Sequence, residues 1–318
     1  MKALIFPGQG SQSVGMGQEL YKNFDLVKKI FKDADEKLNY PISKIILDGP
    51  EAELKLTENT QPAILTLSYS IFKIITEEFN VDLKKGFTFF AGHSLGEYSA
   101  LVASGSLSFT DAILLLHQRG KFMQDAVPDG KGSMIAVMGL NLKDLNKFIG
   151  EINNSKGVCE VANDNSNSQI ILSGDKSAID EISEILKKNN KKSIPLPVSA
   201  PFHCSLMKPA ARKMEKNIIK TKFYDPSIQI VSNVTAQATT NSDNIKKLLI
   251  EQIFSKVRWR ESVEYMINNG VKEFVEIGPG KVLSGLIKRI NDKVSSRSVN
   301  TIEEIKNLKW LILKIKRF

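Results

Sequence analysis

Two periods of apolar residues alternate along this chain, and the alternation outlines an α/β protein. Short apolar runs bounded by Gly, Pro or Asn read as buried strands. Apolar residues three and four apart read as helices with one packed face. Lys2–Phe6 is the first strand. Helical spacing then runs from Glu19 to Leu38 through Leu20, Phe24, Val27, Ile30, Phe31 and Leu38. A second long helix opens at Thr60-Gln61-Pro62, with Pro62 near its first turn, and continues to Phe79. An aromatic strand from Thr88 stops at Gly92, and helix formers follow from Leu95 to Ala103. Ser108–Ala126 is a further helix, its Ser108 and Asp111 spaced as a variant of the capping box.

From Ser133 the texture changes. Strands are expected at Ser133–Met138, Val158–Asn163, Gln169–Ser173 and Ser193–Leu196, with helices at Asn141–Ile152 and Asp175–Lys188. That β-α-β-β-α-β order is the ferredoxin-like arrangement, inserted into the surrounding α/β chain. Pro195 and Pro197 mark the exit into Val198-Ser199-Ala200-Pro201-Phe202-His203-Cys204. The α/β texture then resumes. Helices are expected at Pro209–Lys220, Asn244–Phe254 and Arg260–Asn268, and strands at Ile228–Ser232 and Glu273–Ile277. Gly278-Pro279-Gly280-Lys281 lacks P-loop spacing and reads as a tight turn into one more helix. Thr301-Ile302-Glu303-Glu304 is a capping box opening an amphipathic tail through Ile305, Leu308, Leu311 and Ile315, which ends in Lys314, Lys316 and Arg317. Cations suit a helix C-terminus, so a docked helix is expected over a membrane-surface anchor.

Composition narrows the class without naming it. At 318 residues, 42% apolar and 25% charged, the chain is an ordinary globular protein, expected to form one large and one smaller domain. Its formal charge of +9 favours an acidic or phosphate-bearing partner. The cations are scattered through helices with no nucleic-acid-binding motif, so nucleic acid is not expected. Cys159 and Cys204 are too few and too far apart for a disulfide framework or a zinc site. The apolar run Ala3–Phe6 is too short for a signal peptide, and no later run approaches a membrane span, so a cytoplasmic protein is expected.

The chemistry starts at Gly92-x-Ser94-x-Gly96, between a strand and a helix. This is the pattern of a tight turn that lifts a serine hydroxyl to the top of a sheet. The helix N-terminus behind it favours developing negative charge. A serine needs a base, and histidine is the usual one near neutral pH. His93 adjoins Ser94 on an extended strand end, so its side chain is expected on the opposite face. His117 falls in a Leu-rich helix and reads as a packed or surface imidazole. His203 stands in a proline-flanked irregular stretch and is the candidate base. No acidic residue marks itself as a third member. No histidine follows His203, which tells against the nucleophile–acid–histidine order of ordinary α/β-hydrolases. A Ser–His pair oriented by some other acceptor fits better. In the first loop, Gly8-x-Gly10 is followed by Ser13 where a dinucleotide fingerprint needs glycine, so that loop reads as backbone presenting Gln9 to another site.

Five motifs in order carry a family resemblance. They are Phe6–Gln12, Gly92–Ser99, Arg119-Gly-Lys-Phe-Met-Gln124, Pro195–His203 and Val275–Lys281. Over nearly its whole length the chain resembles the malonyl-CoA:acyl carrier protein transacylases of dissociated fatty acid synthesis. The resemblance implies a hydrolase-like large domain with a parallel-sheet core (1–128 and 198–318) and an inserted ferredoxin-like small domain (129–197). It implies Ser94 as acyl-enzyme nucleophile and His203 as general base, then acid. The backbone N–H groups of Gln9 and Leu95 would form the oxyanion hole. Arg119 would bind the malonyl carboxylate as a bidentate fork, and the backbone carbonyl of Gln252 would orient His203. Asn163 and Asn165 fall in the stretch of the small domain that faces the cleft. Malonyl-CoA and an acyl carrier protein are the implied partners, with no metal, no cofactor, no membrane span and a monomeric chain. The basic tail Leu311–Phe318 runs past the usual family ending. A serine esterase or thioesterase would share the elbow, and a non-catalytic carrier-docking protein would share the fold.

Overall fold

The computed structural model describes residues 1–152, 156–198 and 200–315. Its strands are β1 (Lys2–Phe6), β2 (Phe89–Gly92), β3 (Gly132–Met138), β4 (Cys159–Ser166), β5 (Gln169–Asp175), β6 (Lys192–Pro195), β7 (Gln229–Val231), β8 (Ala238–Thr239), β9 (Glu273–Ile277) and β10 (Ser295–Val299). Six of them form one sheet in the order β10-β9-β1-β2-β7-β8. Every neighbour pair in it is parallel except the terminal β7–β8 ribbon. The remaining four form an antiparallel sheet, β4-β5-β3-β6.

A central parallel sheet is covered on both faces, which is why its strands read as continuous apolar runs. Leu4 and Phe6 of β1 face one way with Phe90, Ile230, Val275 and Ile277, into the core shared with the helices Thr57–Lys73 and Phe109–Gln124. Ala3 and Ile5 face the other way with Phe89, Ala91 and Phe274, onto the helices Trp259–Asn268 and Val282–Ile290. The antiparallel sheet has its own core, where Ile135, Val137, Ile170 and Leu172 meet the helices Leu142–Ile149 and Lys176–Lys188.

Several local readings change. The expected helix Glu19–Leu38 is two, Gln18–Asn23 and Asp25–Leu38, because Phe24 is extended and its N–H closes the first helix on Leu20. The helix around Pro62 begins at Thr57, placing Pro62 inside it, and ends in a π-turn over Ile74–Glu78. Helices Ile42–Asp48 and Glu51–Lys55 and strands β8 and β10 were not expected. β10 is Ser-Ser-Arg-Ser-Val, a polar edge strand without the apolar signature. The two predicted caps form: Asp111 N–H donates to Ser108 Oγ at 3.0 Å, and Glu304 N–H donates to Thr301 Oγ1 at 3.2 Å while Glu304 Oε2 accepts from Thr301 N–H at 3.1 Å. Ile305 and Leu308 are buried, so the terminal helix docks at its start. The side chains of Leu311, Lys314 and Ile315, and the basic end Lys316–Phe318, lie outside the described residues, as does Ser199.

The antiparallel sheet is tied to the segment that leads into the helix Trp259–Asn268. β4 bulges between Val161 and Asn163 and again between Asp164 and Ser166. There Val257 N–H donates to Ala162 O at 2.8 Å and Asp164 N–H donates to Val257 O at 2.9 Å. Arg260 clamps the same place, its Nη2 2.8 Å and its Nε 3.2 Å from the carboxylate oxygens of buried Asp164.

Candidate active site

Strand β2 ends at the elbow. Ser94 has φ of 53°, the left-handed region a β-carbon disfavours, as the sharp turn demands. Gly92 and Gly96 permit the close approach: a Cβ on Gly92 would collide with the backbone of Gly96, and one on Gly96 with Phe6 O. The helix Gly96–Ser104 starts directly behind Ser94. His203 is also held at positive φ, 59°. Both residues thus sit on strained backbone fixed by its surroundings.

Ser94 Oγ and His203 Nε2 are 2.8 Å apart. On its other side the imidazole donates Nδ1–H to Gln252 O at 2.9 Å. That bond sets the tautomer, leaving Nε2 free to accept the serine proton. Gln252 closes the helix Ser242–Gln252, so its carbonyl belongs to a helix C-terminus and carries the negative end of the helix dipole. No carboxylate touches the imidazole among the described residues. Burial, followed by the Arg119 cation, pushes His203 down to about 3, so it is neutral at physiological pH.

Arg119 is 1% exposed, and each acceptor it reaches is neutral: Gln61 Oε1 at 2.8 Å, Gln252 Oε1 at 2.9 Å and Ser94 Oγ at 3.1 Å. Its Nε is buried with no partner among the described residues, and its guanidinium lies 5.9 Å from the Tyr98 ring centroid. Burial lowers its pKa. These groups open into a cleft of about 100 Å³ whose other walls include Gln9, His93, Met134, Asn163 and Phe202. The backbone N–H groups of Gln9 and Leu95 make no hydrogen bond to the described residues. A hydroxyl, a neutral base, free N–H donors and a cation hydrogen-bonded only to neutral groups can together carry acyl transfer to and from a serine, with a preference for an anionic acyl group.

Of the sequence candidates, Ser94, His203, Arg119, Gln252, Gln9 and Asn163 meet here. His93 corrects the expectation of the opposite face. It lines the same cleft, because positive φ at Ser94 breaks the strand alternation, and its Nε2 lies 2.8 Å from Asn165 Oδ1. His117 is bonded through Nδ1 to Glu58 O at 3.0 Å, outside the cleft lining. Three contributors were missed: Gln61, Glu97 and Asn233. Glu97 stood in the elbow motif, one helical turn past Ser94. Asn233 follows a strand and had no local signal.

Residues 3–307 match the family model described as "Acyl transferase domain". The chain is 44% identical over 304 residues to the malonyl CoA-acyl carrier protein transacylase of Bacillus subtilis, covering 95% of this chain and 94% of that one. It is 42% identical over 299 residues to the Escherichia coli K12 protein of the same name, covering 94% and 95%. The solved acyl-carrier-protein-S-malonyltransferase of Bartonella henselae superposes with a TM-score of 0.95 at 40% identity, covering 98% of this chain and 99% of that one. A malonyl-transacylase solved in complex with a type II polyketide acyl-carrier protein gives 0.93 at 37% identity, covering 98% and 99%.

Proposed function

Because this chain belongs to the acyl transferase family, among the malonyl CoA-acyl carrier protein transacylases, we propose that it moves a malonyl group from malonyl-CoA to the phosphopantetheine thiol of acyl carrier protein in fatty acid synthesis. The observation that carries the reading is Arg119: a buried guanidinium with only neutral acceptors, 3.1 Å from a serine oxygen that also faces a neutral histidine. A buried cation whose direct hydrogen-bond acceptors are all neutral is costly, and a substrate carboxylate would supply an anion in contact with it.

In the first half-reaction Ser94 Oγ attacks the thioester carbonyl as its proton passes to His203 Nε2. The resulting oxyanion is met by the N–H groups of Gln9 and Leu95. Collapse breaks the carbon–sulfur bond, and coenzyme A leaves with the proton from His203. In the second, the carrier thiol gives its proton to His203 and attacks the malonyl ester, and the proton returns to Ser94. Gln252 O steadies the imidazolium in both steps, in place of an acid. Arg119 holds the malonyl carboxylate throughout.

The architecture supports a finer division. The large unit, 1–128 and 198–318, is hydrolase-like, with Ser94 at the C-terminal end of a central parallel strand. The unit 129–197 is ferredoxin-like, since its β-α-β-β-α-β chain folds into the sheet order β4-β5-β3-β6. We assign the reaction to the cytoplasm on the likeness to the malonyl CoA-acyl carrier protein transacylases.

The test is incubation with acyl-labelled malonyl-CoA, with and without acyl carrier protein. Label should appear on Ser94, pass to the carrier thiol, and be absent in Ser94→Ala. Release of the label to water at the same rate with and without carrier would make the protein a hydrolase instead.

A further inference from the structure

We propose that Glu97 is a positioning residue: its buried carboxyl group holds the Gln252 side chain, and through it the peptide carbonyl that aims His203 at Ser94. The proposal rests on Ser94 and His203 being nucleophile and base.

Glu97 lies in the first turn behind the elbow and is 2% exposed. A carboxyl group is rarely so buried without a task for its oxygens. Both of its hydrogen bonds land on Oε2, from Gln252 Nε2 at 2.8 Å and from Asn233 N–H at 3.0 Å. This contact decides which way the Gln252 amide points. With Nε2 toward Glu97 and toward Ser94 O at 3.1 Å, Oε1 faces Arg119 Nη2 at 2.9 Å. The flipped amide would set oxygen against the carboxyl oxygen and NH₂ against the guanidinium, two repulsive contacts in place of two attractive ones. Gln252 is the last residue of its helix, a position that frays unless it is tied down. Tying its side chain fixes the carbonyl that receives His203 Nδ1–H.

Asn233 performs the matching task for the nucleophile. Its Oδ1 accepts from Ser94 N–H and its Nδ2 donates to Gly92 O, each at 2.7 Å. Glu97 therefore joins the brace of the elbow to the brace of the histidine. In a Ser–His–acid triad the acid touches the imidazole; here it acts one residue removed. Arg119 bears on it electrostatically and it bears in turn on Tyr98, while burial pushes its carboxyl up to about 7. Oε2 accepts both hydrogen bonds in either protonation state, so the brace needs an acceptor and not a charge. Glutamine supplies the same acceptor; methionine, of similar length, does not.

The experiment uses the full chain as Glu97→Met, Glu97→Gln, Gln252→Met and the double variant Glu97→Met/Gln252→Met. Each is followed by pre-steady-state acylation with malonyl-CoA, mass-spectrometric location of the label, melting, and the proton resonance of His203 Nδ1–H. Glu97→Met should slow acylation by ~10-fold or more, below the ~10²-fold expected for losing the base itself, and should broaden the His203 resonance while native melting is kept. Glu97→Gln should restore both readouts. The double variant should be no slower than the slower single variant, because the two residues act in one chain of contacts. Unchanged acylation in Glu97→Met, an equal loss in Glu97→Gln, or losses that multiply would each overturn the proposal. Should Glu97→Met not fold, Gln252→Met decides: an unchanged rate and resonance overturn it. Label on Ser94 with an unaffected rate defeats this proposal alone; label elsewhere defeats the reading of the site as well.

Discussion

Arg119 Nη2 donates to Ser94 Oγ at 3.1 Å, so the cation proposed to read the acyl group also occupies a lone pair of the proposed nucleophile. A bound carboxylate competes for that donor. On the proposed reading, recognition of the acyl group and release of the serine oxygen become one event at one guanidinium.

Arg119→Ala should therefore separate the two acyl groups. Losing a fork of two charge-assisted hydrogen bonds removes ~3 kcal/mol or more, about two orders of magnitude in kcat/KM for malonyl-CoA. Acetyl-CoA, which leaves the guanidinium unpaired, should be turned over as well as before or better. Arg119→Lys should recover part of the malonyl activity, since an ammonium lacks the planar fork. Steady-state kinetics with both thioesters on three proteins checks this; an unchanged malonyl-to-acetyl ratio in Arg119→Ala removes the assignment.

The pH profile should carry the mark of the same cation. Burial and then Arg119 hold His203 at about 3 in the free enzyme. The acid limb of kcat/KM, which reports the free enzyme, should lie well below the ordinary histidine value of about 6.5. Malonyl binding offsets the Arg119 charge, so the acid limb of kcat should lie higher than that of kcat/KM. Coincident limbs near 6.5 would show an imidazole that is neither desolvated nor near a cation.

Two buried groups should oppose each other in acid stability. His203, lowered to about 3 from 6.5, contributes stability that is whole above 6.5 and is lost as pH falls toward 3. Glu97, raised by burial to about 7 from 4.5, carries no penalty below 4.5 and destabilises progressively as pH rises toward 7. Glu97→Gln removes the second effect only. Relative to the unsubstituted chain, its unfolding free energy should rise between pH 4.5 and 7 by roughly 1 kcal/mol per pH unit. Parallel stability–pH curves from urea unfolding would contradict the raised carboxyl.

The clamp between β4 and the helix Trp259–Asn268 should be costly to break from one side. Asp164 is buried with a side-chain exposure of 1%, and Arg260 reaches both its oxygens. Arg260→Ala strands that carboxylate and should cost ~3–5 kcal/mol. Because Asp164 sits between Asn163 and Asn165, malonyl transfer should weaken along with stability. A loss under ~1 kcal/mol by urea unfolding would place the pair with ordinary surface ion pairs.

What the sequence determined by itself was local. The elbow is legible because its requirement, glycine on either side of a serine between strand and helix, is met within five residues, and φ of 53° at Ser94 is the consequence. The antiparallel unit and its flanking helices are legible from periodicity, and the caps at Ser108 and Thr301 from spacing. The third family motif contains Arg119, and the resemblance as a whole implied Gln252; periodicity alone singles out neither. Tertiary structure decided the rest. His203 meets Ser94 across 109 positions and Asn233 meets it across 139, distances that only the strand order of the parallel sheet closes. The direction of His93 depended on how the strained turn broke the strand alternation. The edge strands β8 and β10 carry no apolar run, because an edge exchanges hydrogen bonds without burying both faces. The roles of Glu97, Asn233 and the Gln252 side chain came from packing: burial removed water from their polar atoms and left one another as the partners that satisfy them.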